Sequence, residues 1–329
     1  MTFFDDILQN DDQMIKPGPS IRPYQSRIDE AKKRGKFNFY HPNFAENAQN
    51  ELERRGNQYV LSASSEADCD ELFAVKAALL LRRPLLLEGP PGIGKTSLAY
   101  FIAHSLGLGP ILRWNLTSRS TFTEGLYSYD AIARMEATVR RGHEGSFGWR
   151  SRKQRAKEEG IYFQLGPLGT ALLPGLRPRV VLIDEIDKSD YDLPHNLLSI
   201  LDEGAFDIPE LARIHNQLGQ PIPVATADRR PNVVLTNGYV ECLEFPLILF
   251  TSNQTRDLPP AFLRRVLRYE MANPSAGQVQ RIVENANLPT GDLGELDGRS
   301  VDQLINMLFL SHTDVPEELR RTLAFHYLG

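Results

Sequence analysis

The segment from Gly89 to Thr96 reads GPPGIGKT, and it has the residue types and spacing of a loop that binds nucleotide phosphates. Its three glycines let backbone N–H groups curve around phosphate oxygens, because no Cβ atom intervenes. The lysine suits the β and γ phosphates, and the threonine hydroxyl suits Mg²⁺. The alternative is a glycine-rich turn that matches by chance. We predict a nucleotide-binding loop formed by Gly89, Pro90, Pro91, Gly92, Ile93, Gly94, Lys95, Thr96 and Ser97.

Two carboxylates end a later apolar segment, VVLIDE at 180–185. This segment predicts a buried parallel strand, and ligands of open α/β sheets bind at the carboxyl ends of such strands. Asp184 is placed to hold Mg²⁺ directly or through water, and Glu185 is the candidate to polarise an attacking water. The alternative is a strand that merely ends in solvated acids. Asp187 and Lys188, in the following loop, are weaker candidates.

A polar amide ends the next apolar segment, PLILFTSN at 246–253. The side chain of Asn253 is expected to contact the γ-phosphate or the attacking water, although an asparagine there can also cap the next turn. Soon after it, DLPPAFLRRV ends in adjacent arginines, Arg264 and Arg265. The helix dipole alone would favour such cations. A helix that leads away from its own nucleotide would instead direct them at a neighbouring molecule, which is the role we expect.

Strands and helices alternate around these residues. The patterns predict strands at 83–89, 111–116, 177–185 and 246–253, helices at 67–81, 95–107 and 194–204, and a mostly helical segment at 124–140. Such alternation indicates an α/β fold with a doubly wound parallel sheet. Before the last strand, Asn237-Gly238 is flanked by β-forming residues and predicts the turn of a β-hairpin.

Composition divides the chain into three parts. Residues 1–57 are polar and broken by Pro and Gly; they predict an N-terminal extension that either docks through short helices or is partly disordered. Residues 58–272 carry the nucleotide-binding domain, with a β-hairpin insertion at about 212–245. Residues 273–329 contain only helical patterns and predict a small all-helical C-terminal lid domain.

The overall composition is that of an ordinary globular protein. Hydrophobic residues make up 41% and charged residues 24% of the chain, and the formal net charge of −5 does not suggest a general polyanion binder. Cys69 and Cys242 lie far apart without a CxxC pattern, which argues against a disulfide framework or a zinc site. Because neither a signal peptide nor a membrane-spanning run is apparent, we expect a soluble cytoplasmic protein.

A basic stretch, RRGHEGSFGWRSRKQRAK at 140–157, surrounds Phe147 and Trp149 with arginines and lysines. Three interpretations stay open: a flexible solvated insertion, a loop that grips a polypeptide through its aromatic residues, or a nucleic-acid contact. The overall negative charge and the lack of a DNA-reading motif count against nucleic acid.

The combination of GPPGIGKT, LIDEIDKSD, LFTSN and DLPPAFLRR with a helical tail resembles the AAA+ ATPases, and most of all their MoxR branch. FTEGLYSYDA, GPLGTALL and FDIPEL add to a resemblance that covers about residues 65–310. It implies a P-loop ATPase with an AAA+ core that uses ATP and Mg²⁺, usually in a hexameric ring. Such proteins remodel, activate or assemble partner proteins, often ones with von Willebrand factor A domains.

The resemblance also implies a role for individual residues. Walker A would be Lys95 and Thr96, Walker B would be Asp184 and Glu185, and sensor 1 would be Asn253. Either Arg264 or Arg265 would be the arginine finger, since a guanidinium is always charged and contacts two phosphoryl oxygens at once. For sensor 2 we select Arg299, just before the helical pattern VDQLINMLFL, with Arg320 and Arg321 as rivals.

Two other functions stay open beside ATP hydrolysis: a nucleotide-dependent binding switch with slow turnover, and an AAA+ motor stimulated by nucleic acid. Glu185 and the arginine pair favour hydrolysis, because a switch could dispense with them. The preference for ATP over GTP rests on the family resemblance alone.

Overall fold

The computed structural model describes residues 40, 42, 44–62, 69–143, 151–228, 233–274, 278 and 281–282 of the 329-residue chain. Three predicted features therefore lie outside the described residues: Arg299 with most of the lid, most of the N-terminal extension, and the aromatic pair Phe147 and Trp149.

The described strands are β1 (Leu85–Glu88), β2 (Leu112–Asn115), β3 (Tyr127–Tyr129), β4 (Phe163–Leu165), β5 (Val180–Asp184), β6 (Ala205–Asp207), β7 (Ile222–Val224), β8 (Val233–Leu235), β9 (Tyr239–Glu241), β10 (Leu247–Ser252) and β11 (Leu267–Glu270). The described helices are α1 (Glu46–Gln58), α2 (Asp70–Leu81), α3 (Lys95–Ser105), α4 (Phe122–Leu126), α5 (Ala131–His143), α6 (Arg152–Gly160), α7 (Pro167–Ala171), α8 (Asp192–Glu203), α9 (Pro209–Leu218) and α10 (Pro260–Leu263).

A parallel sheet of five strands, in the order β11-β1-β10-β5-β2, forms the centre of the molecule. This confirms the predicted α/β fold with a parallel sheet. Strand β11 was not among the predicted strands. It lies at the sheet edge, where Arg268 and Glu270 are exposed, so its sequence, LRYE, lacks the continuous apolar run of a central strand.

The sheet is buried on both faces. Along β5, Val180 and Leu182 belong to one hydrophobic cluster, whereas Val181 and Ile183 belong to the other. Successive side chains of a strand point to opposite faces, so a strand covered on both sides must be apolar throughout. The other strands and the helices on the two faces complete each cluster, which explains why the central strands could be predicted from short apolar runs.

The segment at 124–140 is mostly helical, as predicted, but a short strand interrupts it. The chain forms α4, then the extended residues of β3, and only then α5. Strand β3 pairs antiparallel with β4, with Tyr127 opposite Leu165. This pairing joins residues far apart in sequence, and it overrides the local helical pattern.

The described end of the basic stretch is helical. Residues 152–160 form α6. The preceding residue, Ser151, caps the helix, since its hydroxyl accepts a hydrogen bond from the backbone of Gln154. Ala156 and Gly160 are buried. A Cβ atom on Gly160 would lie 2.0 Å from the carbonyl oxygen of Pro223 in β7, so only glycine allows this approach.

The predicted hairpin at Asn237-Gly238 is wrong in its strand pairing. Both residues have positive φ angles, 57° and 70°, as a tight turn requires. However, the flanking strands do not pair with each other: β8 pairs with β7, and β9 pairs with β6. The turn therefore passes the chain from one antiparallel pair to another.

Part of the N-terminal extension docks on the sheet domain. Helix α1 packs against α3, with Gly56 so close to His104 that a Cβ atom would lie 2.5 Å from the His104 Cβ. Upstream of α1, the Tyr40 hydroxyl donates a 2.7 Å hydrogen bond to Asp228. Among the described residues, no helix has the length and apolarity that crossing a membrane requires.

Candidate functional site

The loop between β1 and α3 adopts a conformation that depends on its glycines. Gly89, Gly92 and Gly94 have φ angles of 141°, 83° and 96°. A Cβ atom on Gly89 would lie 2.6 Å from Ile93 Cδ1 and 3.0 Å from the Met271 carbonyl oxygen. The loop leads directly into the N-terminus of α3, whose first N–H groups lack intrahelical partners and favour an anion. The cradle is therefore suited to phosphate.

Lys95, the first residue of α3, is buried and holds the loop from inside. Its Nζ atom donates hydrogen bonds to the carbonyl oxygens of Gly89 at 2.7 Å and Pro90 at 2.9 Å, and to Asn253 Oδ1 at 2.7 Å. Burial lowers the pKa of Lys95, and nearby Asp184 opposes that shift. The bond to Asn253 joins the start of α3 to the residue that follows β10, as expected for two residues facing one ligand.

Thr251, a buried residue of β10, connects the two carboxylate residues at the end of β5. Its hydroxyl donates to Asp184 Oδ1 and accepts a 2.9 Å hydrogen bond from the backbone N–H of Glu185. The other carboxylate oxygen of Asp184 lies 3.4 Å from the Arg113 guanidinium. Thr251 therefore sets the orientation of Asp184 and of the backbone that carries Glu185.

Glu185 leaves the strand in a left-handed conformation, with φ 61° and ψ 53°. Such a backbone is uncommon for a residue other than glycine and occurs often at functional sites. Its Oε1 atom lies 2.5 Å from Lys188 Nζ, and this hydrogen bond raises the pKa of Lys188. The Glu185 carboxylate is partly exposed, so it can reach solvent beside the loop.

Asp187 is buried below the site and holds the segment that carries Asn253. Its Oδ2 atom accepts hydrogen bonds from the backbone N–H groups of Asn253 at 3.2 Å and Thr255 at 3.0 Å, and from the Thr255 hydroxyl at 2.6 Å. Its Oδ1 atom has no partner among the described residues. The sequence offered Asp187 only as a weak candidate, because its partners lie more than 60 residues away.

The residues present fit a magnesium nucleotide. Mg²⁺ prefers oxygen ligands, and the hydroxyl of Thr96 and the carboxylate of Asp184 are of that kind. The glycine cradle, the start of α3 and the Lys95 ammonium provide positive potential for phosphate. These groups are held at the carboxyl ends of β1, β5 and β10, where ligands of open α/β sheets bind.

The two adjacent arginines have different surroundings. Arg265 Nε donates to both carboxylate oxygens of Asp202, at 3.0 and 2.9 Å, and its guanidinium also bonds the Ala261 carbonyl oxygen. Arg264 is exposed, and its guanidinium has no hydrogen bond or ion pair within the described part of the chain. Arg264 is therefore available to a neighbouring molecule, whereas Arg265 is committed to its own chain.

The structure places four predicted residues in two hydrogen-bonded groups: Lys95 bonds Asn253, and Thr251 bonds both Asp184 and Glu185. Two members were absent from the predicted site, Thr251 and Arg113. The run LFTSN carried a signal for Thr251, since a hydroxyl in an otherwise apolar buried strand needs a partner.

The chain matches one protein family and is similar to solved structures of other proteins. The sequence model of the AAA domain, dynein-related subfamily, matches residues 84–266. Among solved structures, the chain is similar to a candidate ATPase from Cytophaga hutchinsonii, with 13% identity and a TM-score of 0.37 over 80% of this chain and 60% of that one. It is also similar to the RuvB Holliday junction branch migration motor of Thermotoga maritima, with 17% identity and a TM-score of 0.30 over 74% of this chain and 50% of that one. Likenesses this low say nothing of activity or partners.

Proposed function

The chain belongs to the AAA domain family of P-loop ATPases, dynein-related subfamily, since the family match covers more than half of its 329 residues; from this premise we propose that it hydrolyses ATP with Mg²⁺. One observation supports the proposal most: Lys95 bonds Asn253, whose backbone is held by Asp187, and Thr251, two residues before Asn253, bonds both Asp184 and Glu185. A loop that only bound phosphate would not need the carboxylates of Asp184 and Glu185 and the amide of Asn253 beside it.

The phosphates would lie in the loop of residues 89–97, against the start of α3. Lys95 would contact the β and γ phosphates by exchanging its present acceptors for phosphoryl oxygens. When bound by Thr96 and Asp184, Mg²⁺ supplies charge neutralisation across the β and γ phosphates. Thr251 and Arg113 hold the Asp184 carboxylate in place for that role.

Glu185 would orient and polarise the attacking water. Its carboxylate is partly exposed, and its backbone is fixed by the Thr251 hydroxyl. Asn253 would direct its amide at the γ-phosphate or at the same water, which makes hydrolysis sensitive to the bound nucleotide. Both residues act by position, which is how proteins accelerate phosphoryl transfer.

Arg264 would complete the site of a neighbouring copy as an arginine finger. Its guanidinium is exposed and unengaged within the described residues, whereas Arg265 binds Asp202. This role requires a ring oligomer, for which we propose a hexamer. Arg299, outside the described residues, stays our proposal for sensor 2.

The motifs of the MoxR type support the further proposal that the chain acts on a partner protein. In that case ATP hydrolysis would drive remodelling, activation or assembly of a partner protein, possible partners including proteins with von Willebrand factor A domains. The alternative of a slow nucleotide switch is less favoured, because Glu185 and an unengaged Arg264 are both present. No specific observation favours a nucleic-acid motor.

The test of the proposal is ATP turnover by the full chain and by its Glu185→Gln variant. We expect Mg²⁺-dependent release of phosphate from the full chain, and in the variant retained ATP binding with turnover reduced at least about 100-fold. The matched control is Glu203→Gln, at the end of α8, which should not alter turnover. Undiminished turnover by Glu185→Gln would remove Glu185 from its assigned role.

A further inference from the structure

Helix α5 exposes an apolar face to solvent. Ile132, Met135 and Val139 are 69%, 64% and 56% exposed, and their spacing of three and four residues places them on one side of the helix. The helix is held from another side, where Arg134 Nε lies 2.5 Å from Glu159 of α6. Contiguous exposed apolar side chains on a helix commonly mark an interaction site.

Helix α6, which the ion pair of Arg134 with Glu159 joins to α5, carries positive charge. Four of its side chains are cationic and exposed: Arg152, Lys153, Arg155 and Lys157. We call the apolar face of α5 and these four cations the α5–α6 surface. It suits a polypeptide segment that combines aliphatic or aromatic side chains with carboxylates.

The chain itself contains a segment of that composition. Residues 1–14 read MTFFDDILQNDDQM, with four aspartates and no lysine or arginine. Four of their apolar residues, Phe3, Phe4, Ile7 and Leu8, recur at a spacing of three to four. The segment is therefore complementary to the α5–α6 surface in both charge and hydrophobicity.

The described structure places the attachment of this segment near α6. The Tyr40 hydroxyl bonds Thr226 and Asp228, which directly follow β7. Strand β7 contacts α6, since Gly160 abuts the Pro223 carbonyl. Residues 15–39 lie between this anchor and the acidic segment, and 25 extended residues reach about 80 Å. A tether of this length raises the local concentration of the segment to about the millimolar range.

We propose that residues 1–14 dock on the α5–α6 surface of the same chain. The apolar side chains of the segment cover Ile132, Met135 and Val139, and its aspartates face the cations of α6. The docked segment removes apolar area from water, and a protein partner of similar composition has to displace it. The proposal does not depend on ATP hydrolysis.

Photocrosslinking in the full chain tests the proposal. Benzoylphenylalanine in place of Phe4 keeps an aromatic side chain at that position, and we expect its crosslinks, located by mass spectrometry, to fall mainly within 131–143. The product should have the mass of one chain. Benzoylphenylalanine in place of Tyr24, in the tether, is the control and should show no such preference.

Substitutions on the surface give the matched comparison. Ile132→Ser, Met135→Ser and Val139→Ser together should reduce crosslinking to this helix roughly fivefold or more, since most of the buried apolar area is lost. Phe73→Ser on α2, equally exposed in the described structure, should leave it unchanged. Replacing the four aspartates of residues 1–14 by asparagine should weaken crosslinking and remove its dependence on salt.

Hydrogen exchange provides a second measurement that requires no probe. Amides of 131–143 should exchange more slowly in the unaltered chain than in the variant with four asparagines. Crosslinks scattered over other elements, or a product that joins two chains, would overturn docking within one chain. Equal exchange of these amides in both proteins would do the same.

Discussion

The carboxylate of Asp187 accepts a hydrogen bond from the backbone N–H of Asn253, across 3.2 Å. The side-chain oxygen of Asn253 in turn accepts a 2.7 Å hydrogen bond from the Lys95 ammonium. A buried carboxylate outside the phosphate-binding loop therefore fixes the position of a residue that contacts the loop. We expect Asp187 to act on hydrolysis through Asn253, as a positioning residue.

Substitution of Asp187 separates its acceptor role from its charge. Asn keeps an acceptor oxygen for Asn253 and Thr255, so Asp187→Asn should retain most turnover. Asp187→Ala leaves these donors without an acceptor and should lower kcat about 10- to 100-fold, because small displacements at a reacting centre are costly. Steady-state kinetics measure both effects.

A double-mutant cycle tests whether Asp187 acts on hydrolysis through Asn253. Asn253→Ala should lower kcat by itself, and adding Asp187→Ala should then lower it little further, since the two act along one path. Fully additive losses would show that Asp187 does not act through Asn253.

Thr251→Val should weaken the use of Mg²⁺. Valine has nearly the shape of threonine, but it cannot donate to Asp184 or accept from Glu185. Groups that orient a metal ligand typically contribute about 10- to 100-fold in metal affinity or activity. A magnesium titration of ATP turnover measures the change. Thr251→Ser keeps the hydroxyl and is the control; an unaltered titration for Thr251→Val would contradict the assignment.

Arg264 and Arg265 should respond differently to alanine. Arg264→Ala should lower kcat about 10³-fold or more if its guanidinium acts as a finger. Arg265→Ala removes an exposed ion pair with Asp202, worth at most about 1 kcal/mol of the free energy of unfolding, and should change kcat little. Turnover and urea unfolding of each variant measure these outcomes.

Mixing two inactive variants tests whether the finger acts between copies. The Glu185→Gln variant retains Arg264 but lacks the water-polarising carboxylate. The Arg264→Ala variant retains that carboxylate but lacks the guanidinium. Mixed assemblies should regain part of the turnover, because some sites combine an intact Glu185 with a neighbour's Arg264. No recovery in verified mixed assemblies would place the arginine outside the site.

Asp228→Asn should destabilise the protein and loosen the N-terminal anchor. Asp228 forms a buried ion pair with Arg179, with side chains 5% and 7% exposed, and also accepts from Tyr40. Breaking a buried pair typically costs about 3–5 kcal/mol, because one charge is left uncompensated. Urea unfolding measures the loss, and proteolysis upstream of α1 should accelerate. Asp202→Asn, at the exposed pair, is the control and should have little effect.

The sequence by itself determined the elements whose information is local. The phosphate-binding loop needs glycines and a lysine within eight residues, and the central strands needed to be apolar on both faces. The carboxylates and Asn253 could be assigned to one edge, because parallel strands bring their carboxyl ends together.

Only the tertiary structure decided which distant residues meet. Asn237-Gly238 encodes a turn, but the pairing of β9 with β6 depends on contacts far along the chain. The hydrogen bond from Thr251 to Asp184 spans 67 residues, and no spacing rule reveals it. The adjacent arginines look alike in sequence, yet Asp202 engages just Arg265. Partners of this kind are selected by packing of separate elements, so they become visible only once the chain is folded.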